Sequence, residues 1–172
     1  MDNENLKDLI CRIQNRDRDA LTQLYSLMKT RVYGLALVYT KSDCDAEDVM
    51  QTVFMNVWTK SNTYRGGNPS SWIMTMTRNL AVDHIRANRR RAELSDSIPD
   101  EDCFEKITAS VTVKNLFSEL RDDEREIVLL YSYGFSHSEI SVITKRPQAT
   151  VRWKYSAALK KLRKISGGEG NE

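Results

Sequence analysis

The sequence is poor in the residues from which metal sites and disulfides are built. Its 172 residues include two histidines and three cysteines, and Cys11, Cys44 and Cys103 are widely separated with no CxxC spacing. Scattered cysteines in odd number predict neither a disulfide framework nor a zinc site, and are typical of reduced thiols in a cytoplasmic protein. His84 and His137 have no clustered ligand residues, and His84 is expected to be solvated, so we predict no metal and no other cofactor.

Long apolar runs and phosphate-binding loops are also missing. No apolar run reaches the roughly 18 residues of a membrane span, and none follows a basic start, so neither a span nor a signal peptide is predicted. No residue set supports catalysis, because Ser136-His137-Ser138 reads as a helix cap rather than a nucleophile site. An enzyme acting on nucleic acid is disfavoured because carboxylate clusters and metal ligands are lacking.

Charge is nearly balanced overall but segregated along the chain. The formal net charge is +2, yet residues 145–164 contain eight basic residues and no acid, and residues 92–110 are strongly acidic. A charge run is ordinarily a solvated face. Two basic clusters, this one and Arg89–Arg91, each close a predicted helix in a separate domain, and together they favour nucleic-acid binding.

The apolar residues recur at helical spacing, and no sustained period of two predicts a strand. The predicted fold class is all-α, with two small helical domains joined by a short acidic linker. The domains are residues 1–92 and 111–166, the linker is 93–110, and 167–172 form a polar tail.

Residues 42–91 contain two helical patterns around a loop of Gly, Asn and Pro. The first helix begins acidic, with Ser42 or Asp43 as its cap, and the second is opened by Pro69. We expect Trp58 and Trp72 in the core. The apolar residues that the second helix is expected to bury are Trp72, Ile73, Met76, Leu80 and Ile85.

The second domain ends in a helix-turn-helix pattern. A first helix carries Val113, Leu116, Phe117 and Leu120; the next is capped by Asp122 or Asp123 and ended by Gly134. Ser136 caps a short helix with Glu139 as the reciprocal partner, and Lys145 to Gln148 form the turn. At about 100° per residue, Trp153 lies opposite the apolar stripe of the last helix, where contact with DNA is a natural explanation for it.

Two ordered sets of residues carry a family resemblance. The first set is Asp45-Ala46-Glu47-Asp48, Gln51, Phe54, Trp58, Trp72, Arg78-Asn79, Asp83 and Arg86. The second set is Leu120, Arg125-Glu126, Gly134, Glu139-Ile140, Pro147, Thr150-Val151 and Ala157-Ala158-Leu159. The first set resembles region 2, and the second region 4, of the extracytoplasmic-function (ECF) sigma factors, the small two-domain branch of the bacterial sigma-70 family. The chain departs from the family at Lys145 and Ala149, where glycines are frequent, and at Trp153, where a small residue is.

The resemblance implies a non-enzymatic sigma factor that binds core RNA polymerase, directs it to promoters and helps open the DNA. The residues implied in polymerase binding are Asp45, Glu47, Asp48 and Gln51. Those implied at the −10 element are Tyr64, Arg65, Asn68, Arg78, Asn79, Asp83, Arg86, Arg89 and Arg90. Those expected at the −35 element are Arg146, Gln148, Thr150, Arg152, Trp153, Lys154, Ser156 and Lys160. The partners are core RNA polymerase and promoter DNA, with an anti-sigma factor as a further candidate.

One alternative from another class stays open. A stand-alone helix-turn-helix repressor or activator, usually a dimer, explains residues 111–166. It leaves residues 42–91 without a role, and the sequence shows no dimerisation heptad.

Overall fold

The computed structural model describes residues 3–92 and 119–166, which form seven α-helices and no strand. The all-α prediction is therefore confirmed. The chain divides into two compact units, Met1–Glu101 and Asp102–Glu172, called here unit 1 and unit 2. The predicted linker, the helix expected around Val113 to Phe117 and the predicted polar tail lie outside the described residues.

Within the described residues, unit 1 is a four-helix bundle built around its second helix. Asp17 caps that helix by accepting hydrogen bonds from the backbone N–H groups of Asp19 and Ala20, and Ser42 caps the third by accepting from Asp45. The second helix packs against each of the other three. The helices are α1 (Asn3–Gln14), α2 (Arg18–Thr40), α3 (Asp43–Lys60) and α4 (Pro69–Ala92), with a 3-10 turn at Ser61–Thr63 before the loop that leads to α4.

The buried face of α4 differs from the predicted one. Ile73 is fully buried as expected, together with Met74, Thr77 and Ala81. The other four residues expected in the core are half-buried: Trp72, Met76, Leu80 and Ile85. A threonine can lie in the core because its hydroxyl donates to the Ile73 carbonyl oxygen in its own helix at 2.9 Å. The buried face of α4 is therefore centred on Ile73, Thr77 and Ala81, and Trp72, Met76 and Leu80 lie at its edge.

Trp58 on α3 is also half-buried, not in the core as expected. The Arg16 guanidinium lies 5.4 Å from its ring centroid, a cation–π contact that lets one side of the indole remain near solvent.

Unit 2 contains α5 (Asp122–Ser132), α6 (His137–Thr144) and α7 (Gln148–Ser166). Helix α5 is not capped by Asp122 or Asp123; Arg121 holds the N-cap position, and its backbone N–H donates to the Glu124 carboxylate at 2.9 Å. It ends as predicted near Gly134, whose φ of +89° permits the N–H of Phe135 to reach the Leu130 carbonyl oxygen.

The helix-turn-helix of unit 2 forms as predicted. Ser136 accepts a hydrogen bond from the Glu139 N–H, and the Glu139 carboxylate accepts one from the Ser136 N–H. Lys145 adopts φ +54° after α6, and α7 begins at Gln148, so the turn is one residue shorter than expected. Apolar side chains of α5, α6 and α7, with Leu120 just before α5, make the core: Leu120, Ile127, Leu130, Ile140, Ile143, Val151 and Ala158.

Candidate nucleic-acid interface

The exposed face of α3 carries three of the four residues assigned to polymerase binding. Glu47, Asp48 and Gln51 are exposed and follow one another at helical spacing. Met55 lies one turn beyond Gln51 and is 63% exposed, which is unusual for a large apolar side chain. The sequence analysis missed Met55. Its position four residues after Gln51 marks this face, because the residues that α3 buries recur elsewhere, at Val49, Val53 and Val57.

Asp45 faces a different way. Its Oδ1 lies 3.0 Å from Nε2 of His84 on α4, and its Oδ2 accepts a hydrogen bond from the Asn88 amide at 3.4 Å. His84 is thus half-buried against a carboxylate, and the expectation that it is simply solvated was wrong. Asp45 connects the start of α3 to the second half of α4.

The loop before α4 is closed on itself. The Tyr64 hydroxyl donates to the Gly67 carbonyl oxygen at 2.9 Å, and the Tyr64 ring lies 5.5 Å from that of Trp72. Burial raises the pKa of Tyr64. Gly66 and Gly67 adopt φ of +98° and +90°, a region that favours glycine, while Arg65 between Tyr64 and these glycines is exposed.

Asn68 has a structural task that the sequence analysis did not foresee. Its side-chain oxygen accepts a hydrogen bond from the Ser71 N–H at 3.3 Å, so Asn68 caps α4 immediately before Pro69.

A groove of about 340 Å³ opens between α3 and α4. It brings together two of the residues assigned to the −10 element, Asn79 and Asp83, and adds Trp72 as an aromatic wall. The sequence analysis missed its other polar members. The full lining is Asn56, Lys60, Trp72, Thr75, Met76, Asn79, Leu80 and Asp83.

The other −10 candidates follow α4 outside this groove. Arg78 is half-buried, with its guanidinium 5.9 Å from the Tyr39 ring centroid. Arg86 is exposed and lies 3.8 Å from the Asp83 carboxylate, a distance and exposure at which an ion pair contributes little. Arg89 and Arg90 are exposed in the last turn, where cations also complement the helix dipole.

In unit 2, three of the basic residues of the stretch 145–164 pair with acids of α5. Arg146 donates to Glu126 at 2.6 Å, Lys161 donates to both oxygens of Glu124, and Lys154 donates to Asp123. Burial alone would raise the carboxylate pKa values; Lys154 and Lys161 outweigh it and lower the pKa of Asp123 and of Glu124.

The opposite edge of α7 is exposed. Gln148, Arg152, Ser156 and Lys160 are exposed, and Trp153 is 67% exposed with the Lys154 ammonium 5.5 Å from its ring centroid. Arg152 and Lys160 form no ion pair with any residue that the structure describes. Thr150 is half-buried. This edge is the face that the sequence analysis predicted for base and phosphate contacts.

Within residues 3–92 and 119–166, no three histidine, cysteine, aspartate or glutamate side chains are grouped as a metal site would require. The same residues include no helix with the length and apolar character of a membrane span. The arrangement offers surfaces for binding: an acidic face on α3, a groove with an aromatic wall, and a basic helix edge.

Family models match the two parts of the chain in which these surfaces lie. Residues 24–91 match Sigma-70 region 2, and residues 110–162 match Sigma-70, region 4. The chain belongs to the sigma-70 family, in its ECF branch. Like other members, this sigma factor directs promoter recognition.

Relatives of similar length support the assignment. The chain is 24% identical to the ECF RNA polymerase sigma factor SigK of Mycobacterium sp. (strain KMS), over 95% of this chain and 91% of the relative. It is 25% identical to SigK of Mycobacterium ulcerans, over 93% and 92%.

Solved structures share the fold. One is the sigma factor RpoE of Bartonella quintana, solved with the anti-sigma factor NepR, at a TM-score of 0.71 and 23% identity over 85% of this chain and 96% of that one. Another is CnrH, solved with the cytosolic domain of CnrY. Its TM-score is 0.66 and its sequence identity 17%, over 96% of this chain and 99% of that one.

Proposed function

We propose that this sigma factor docks on core RNA polymerase through the exposed face of α3, captures an unpaired base of the −10 element in the α3–α4 groove, and reads the −35 element with α7. The groove is the observation that carries the proposal. Trp72 offers a ring on which a base can stack, Asn56 and Asn79 offer amide donors and acceptors, and Lys60 offers a charge for phosphate.

Duplex opening by such a surface requires no bond chemistry. It requires tighter binding to the unpaired strand than to the duplex. The loop from Tyr64 to Asn68 leads directly into α4, and Tyr64 supports the ring of Trp72, so loop and groove form one continuous surface. Arg89 and Arg90, near the end of the same helix, are suited to the backbone phosphates.

The exposed face of α3 suits a protein partner better than DNA. Glu47 and Asp48 would repel phosphate, whereas a basic rim on a protein would attract them, and Met55 supplies the apolar contact that the centre of an interface needs. Core polymerase is the partner we assign to it. Since polymerase and promoters occupy the bacterial cytoplasm, we place the chain there.

We also propose that an anti-sigma protein binds this chain and regulates it. The Bartonella RpoE structure contains the anti-sigma factor NepR, and the CnrH structure contains the cytosolic domain of CnrY. An anti-sigma protein that acts by masking the α3 face should lower the affinity of the chain for core polymerase in direct competition, and an unchanged affinity would exclude that mode of action.

The test uses run-off transcription with purified core polymerase and the full chain. Asn79→Ala should slow open-complex formation, read by permanganate reactivity of unpaired thymines, while closed complexes form normally. Asn15→Ala, which removes an exposed amide at the end of α1, is the matched control. A pre-melted template should restore transcription by Asn79→Ala; if it does not, the groove has no role in opening.

The stand-alone helix-turn-helix alternative predicts a different result when the chain is mixed with core polymerase. A repressor or activator of that kind binds duplex sites as a dimer and does not need α3 to meet polymerase. Co-purification of the chain with core polymerase in one-to-one ratio, together with promoter-specific transcription, would reject it.

A further inference from the structure

The turn of the helix-turn-helix is held to α5 through Arg146. Its guanidinium donates to Glu126 at 2.6 Å, its backbone N–H donates to the Ser141 carbonyl oxygen at 3.2 Å, and its carbonyl oxygen accepts from the Ser141 hydroxyl at 2.6 Å. Both the side chain and the backbone of Arg146 are therefore engaged inside unit 2.

The partner carboxylate makes this contact hard to exchange. The Glu126 side chain is 2% exposed, and a buried charge without its partner is strongly unfavourable. A DNA phosphate that drew Arg146 outward would take from the buried Glu126 carboxylate the cation that lies 2.6 Å from it. Arg146 is accordingly a poor candidate for the phosphate contact that the basic sequence around it predicts.

Two further ion pairs hold the same helices together. Asp123 pairs with Lys154 and Glu124 pairs with Lys161, so the first turn of α5 contacts α7 at two positions that lie seven residues apart along α7. The position of α7 relative to α5 is thus fixed at its beginning and along its middle, while Arg152 and Lys160 remain exposed on the other edge.

We propose that Glu126 and Arg146 are positioning residues for −35 recognition: they set where α7 begins and thereby where Arg152 and Trp153 meet the bases. The inference rests on the proposed function of unit 2 and deepens it. Glu126 touches no DNA, and Arg146 acts through the turn rather than through phosphate.

The test is binding of holoenzyme, assembled from the full chain and purified core polymerase, to promoter DNA over a range of salt. Removing a phosphate contact lowers the salt slope by about 1, whereas displacing a reading helix weakens binding without that change. Arg146→Met should bind about fivefold more weakly with the wild-type slope, a size expected for coupled neighbours. Lys160→Gln, the matched phosphate variant, should lower the slope.

Glu126→Gln separates the two explanations by sign. If Arg146 served phosphate, removing Glu126 would free it and tighten binding; as a positioning pair, the substitution weakens binding, and the double variant Arg146→Met with Glu126→Gln is no weaker than the single variants. The double variant leaves no unpaired buried charge, so it decides the question if Glu126→Gln alone unfolds unit 2.

Either tighter binding by Glu126→Gln or a slope lowered by about 1 in Arg146→Met would overturn the inference, since one phosphate contact is worth that much. If Lys160→Gln and Arg152→Ala bind like wild type as well, the proposed −35 role falls and the inference falls with it. If only those two variants show the expected losses, the −35 role stands and the positioning role is wrong.

Discussion

Asp48 is the residue on which the polymerase-docking proposal can be tested most directly. It is exposed on the same face of α3 as Glu47, Gln51 and Met55, and the structure gives it no role in holding the bundle together. Reversing its charge should therefore act on a partner and not on the fold. Asp48→Arg should weaken binding to core polymerase at least about tenfold, as like charges at an interface cost more than 1 kcal/mol.

The control for this prediction is Asp19→Arg, the same charge reversal at an exposed position on α2. Affinity is measured by competition for purified core polymerase, and binding of the variants to −35 DNA shows that unit 2 is intact. Equal affinities for Asp48→Arg and the wild type would remove α3 from the docking surface.

Asn68 combines two tasks that one substitution would confuse. It caps α4 through the Ser71 N–H and is also one of the residues assigned to the −10 element. Asn68→Ala loses both, and should reduce the free energy of unfolding of unit 1 by about 1 kcal/mol. Asn68→Ser keeps a capping oxygen, so it should retain stability and still slow open-complex formation.

Urea denaturation and permanganate reactivity, measured on both Asn68 variants, separate the tasks. An Asn68→Ser variant that opens promoters at the wild-type rate would reduce Asn68 to a helix cap, and any defect of Asn68→Ala would then follow from stability.

At the scale of helices, local signals in the sequence predicted the structure well where the interactions are local. Ser136 and Glu139 are three residues apart, and their reciprocal hydrogen bonds form as expected. The face of α4 was misplaced because Thr77 counts as polar in a sequence pattern but satisfies its hydroxyl within its own helix. Hydrophobic periodicity scores only the polarity of each residue, so it does not register a hydrogen bond between the Thr77 hydroxyl and the backbone of its own helix.

The basic stretch 145–164 shows what a local pattern cannot contain. Its eight basic residues read as one DNA-binding surface, but the pairs between Arg146 and Glu126 and between Lys161 and Glu124 join residues 20 and 37 positions apart. Which charges remain for DNA is decided by how α5 packs on α7. The exposed edge with Arg152 and Lys160 is what that packing leaves.

Helix α7 should therefore have two functional zones along one edge. Arg152 lies near the N-terminus of the helix, where a recognition helix meets base edges in the major groove of DNA. Lys160 lies two turns later, where such a helix leaves the major groove and meets phosphate. Arg152→Ala should relax preference at one or two base pairs, at a cost of about 1–3 kcal/mol for the preferred base. Lys160→Ala should weaken all sequences alike and lower the salt slope by about 1.

Binding across a randomised −35 library, repeated at several salt concentrations, measures both effects. Trp153→Ala belongs in the same experiment: an altered preference at a thymine would agree with contact to its methyl group. If Arg152→Ala keeps the wild-type preference at every base pair, Arg152 is not a reader.

At the scale of the whole chain, the order of the binding surfaces along the sequence was predictable, but the groove between α3 and α4 was not. The sequence predicts the all-α class. Residues 42–91 also predict, in order, a helix with an acidic start, a glycine loop and a basic helix. The groove is not predicted, because Asn56 and Lys60 come from α3 and meet Trp72 and Asn79 only when two helices pack. A sequence pattern ranks residues along one helix, whereas a groove needs two.

Acid should destabilise unit 2 through the carboxylates of α5. Asp123 and Glu124 have pKa values below their usual range: burial opposes this shift, and the pairing with Lys154 and Lys161 outweighs it. As pH falls, the unfolded chain binds these protons before the folded chain does. The stabilisation is therefore complete above the unfolded pKa values of about 4 and is lost as pH falls through the folded ones.

Urea denaturation of the full chain between neutral pH and pH about 3.5, followed by amide NMR signals of Ala158 in unit 2 and Ala81 in unit 1, measures each unit separately. Asp123→Asn should flatten the acid dependence reported by Ala158, whereas Asp48→Asn on α3 should leave it unchanged. The same dependence in Asp123→Asn as in the wild type would show that the α5 carboxylates do not govern the acid stability of unit 2.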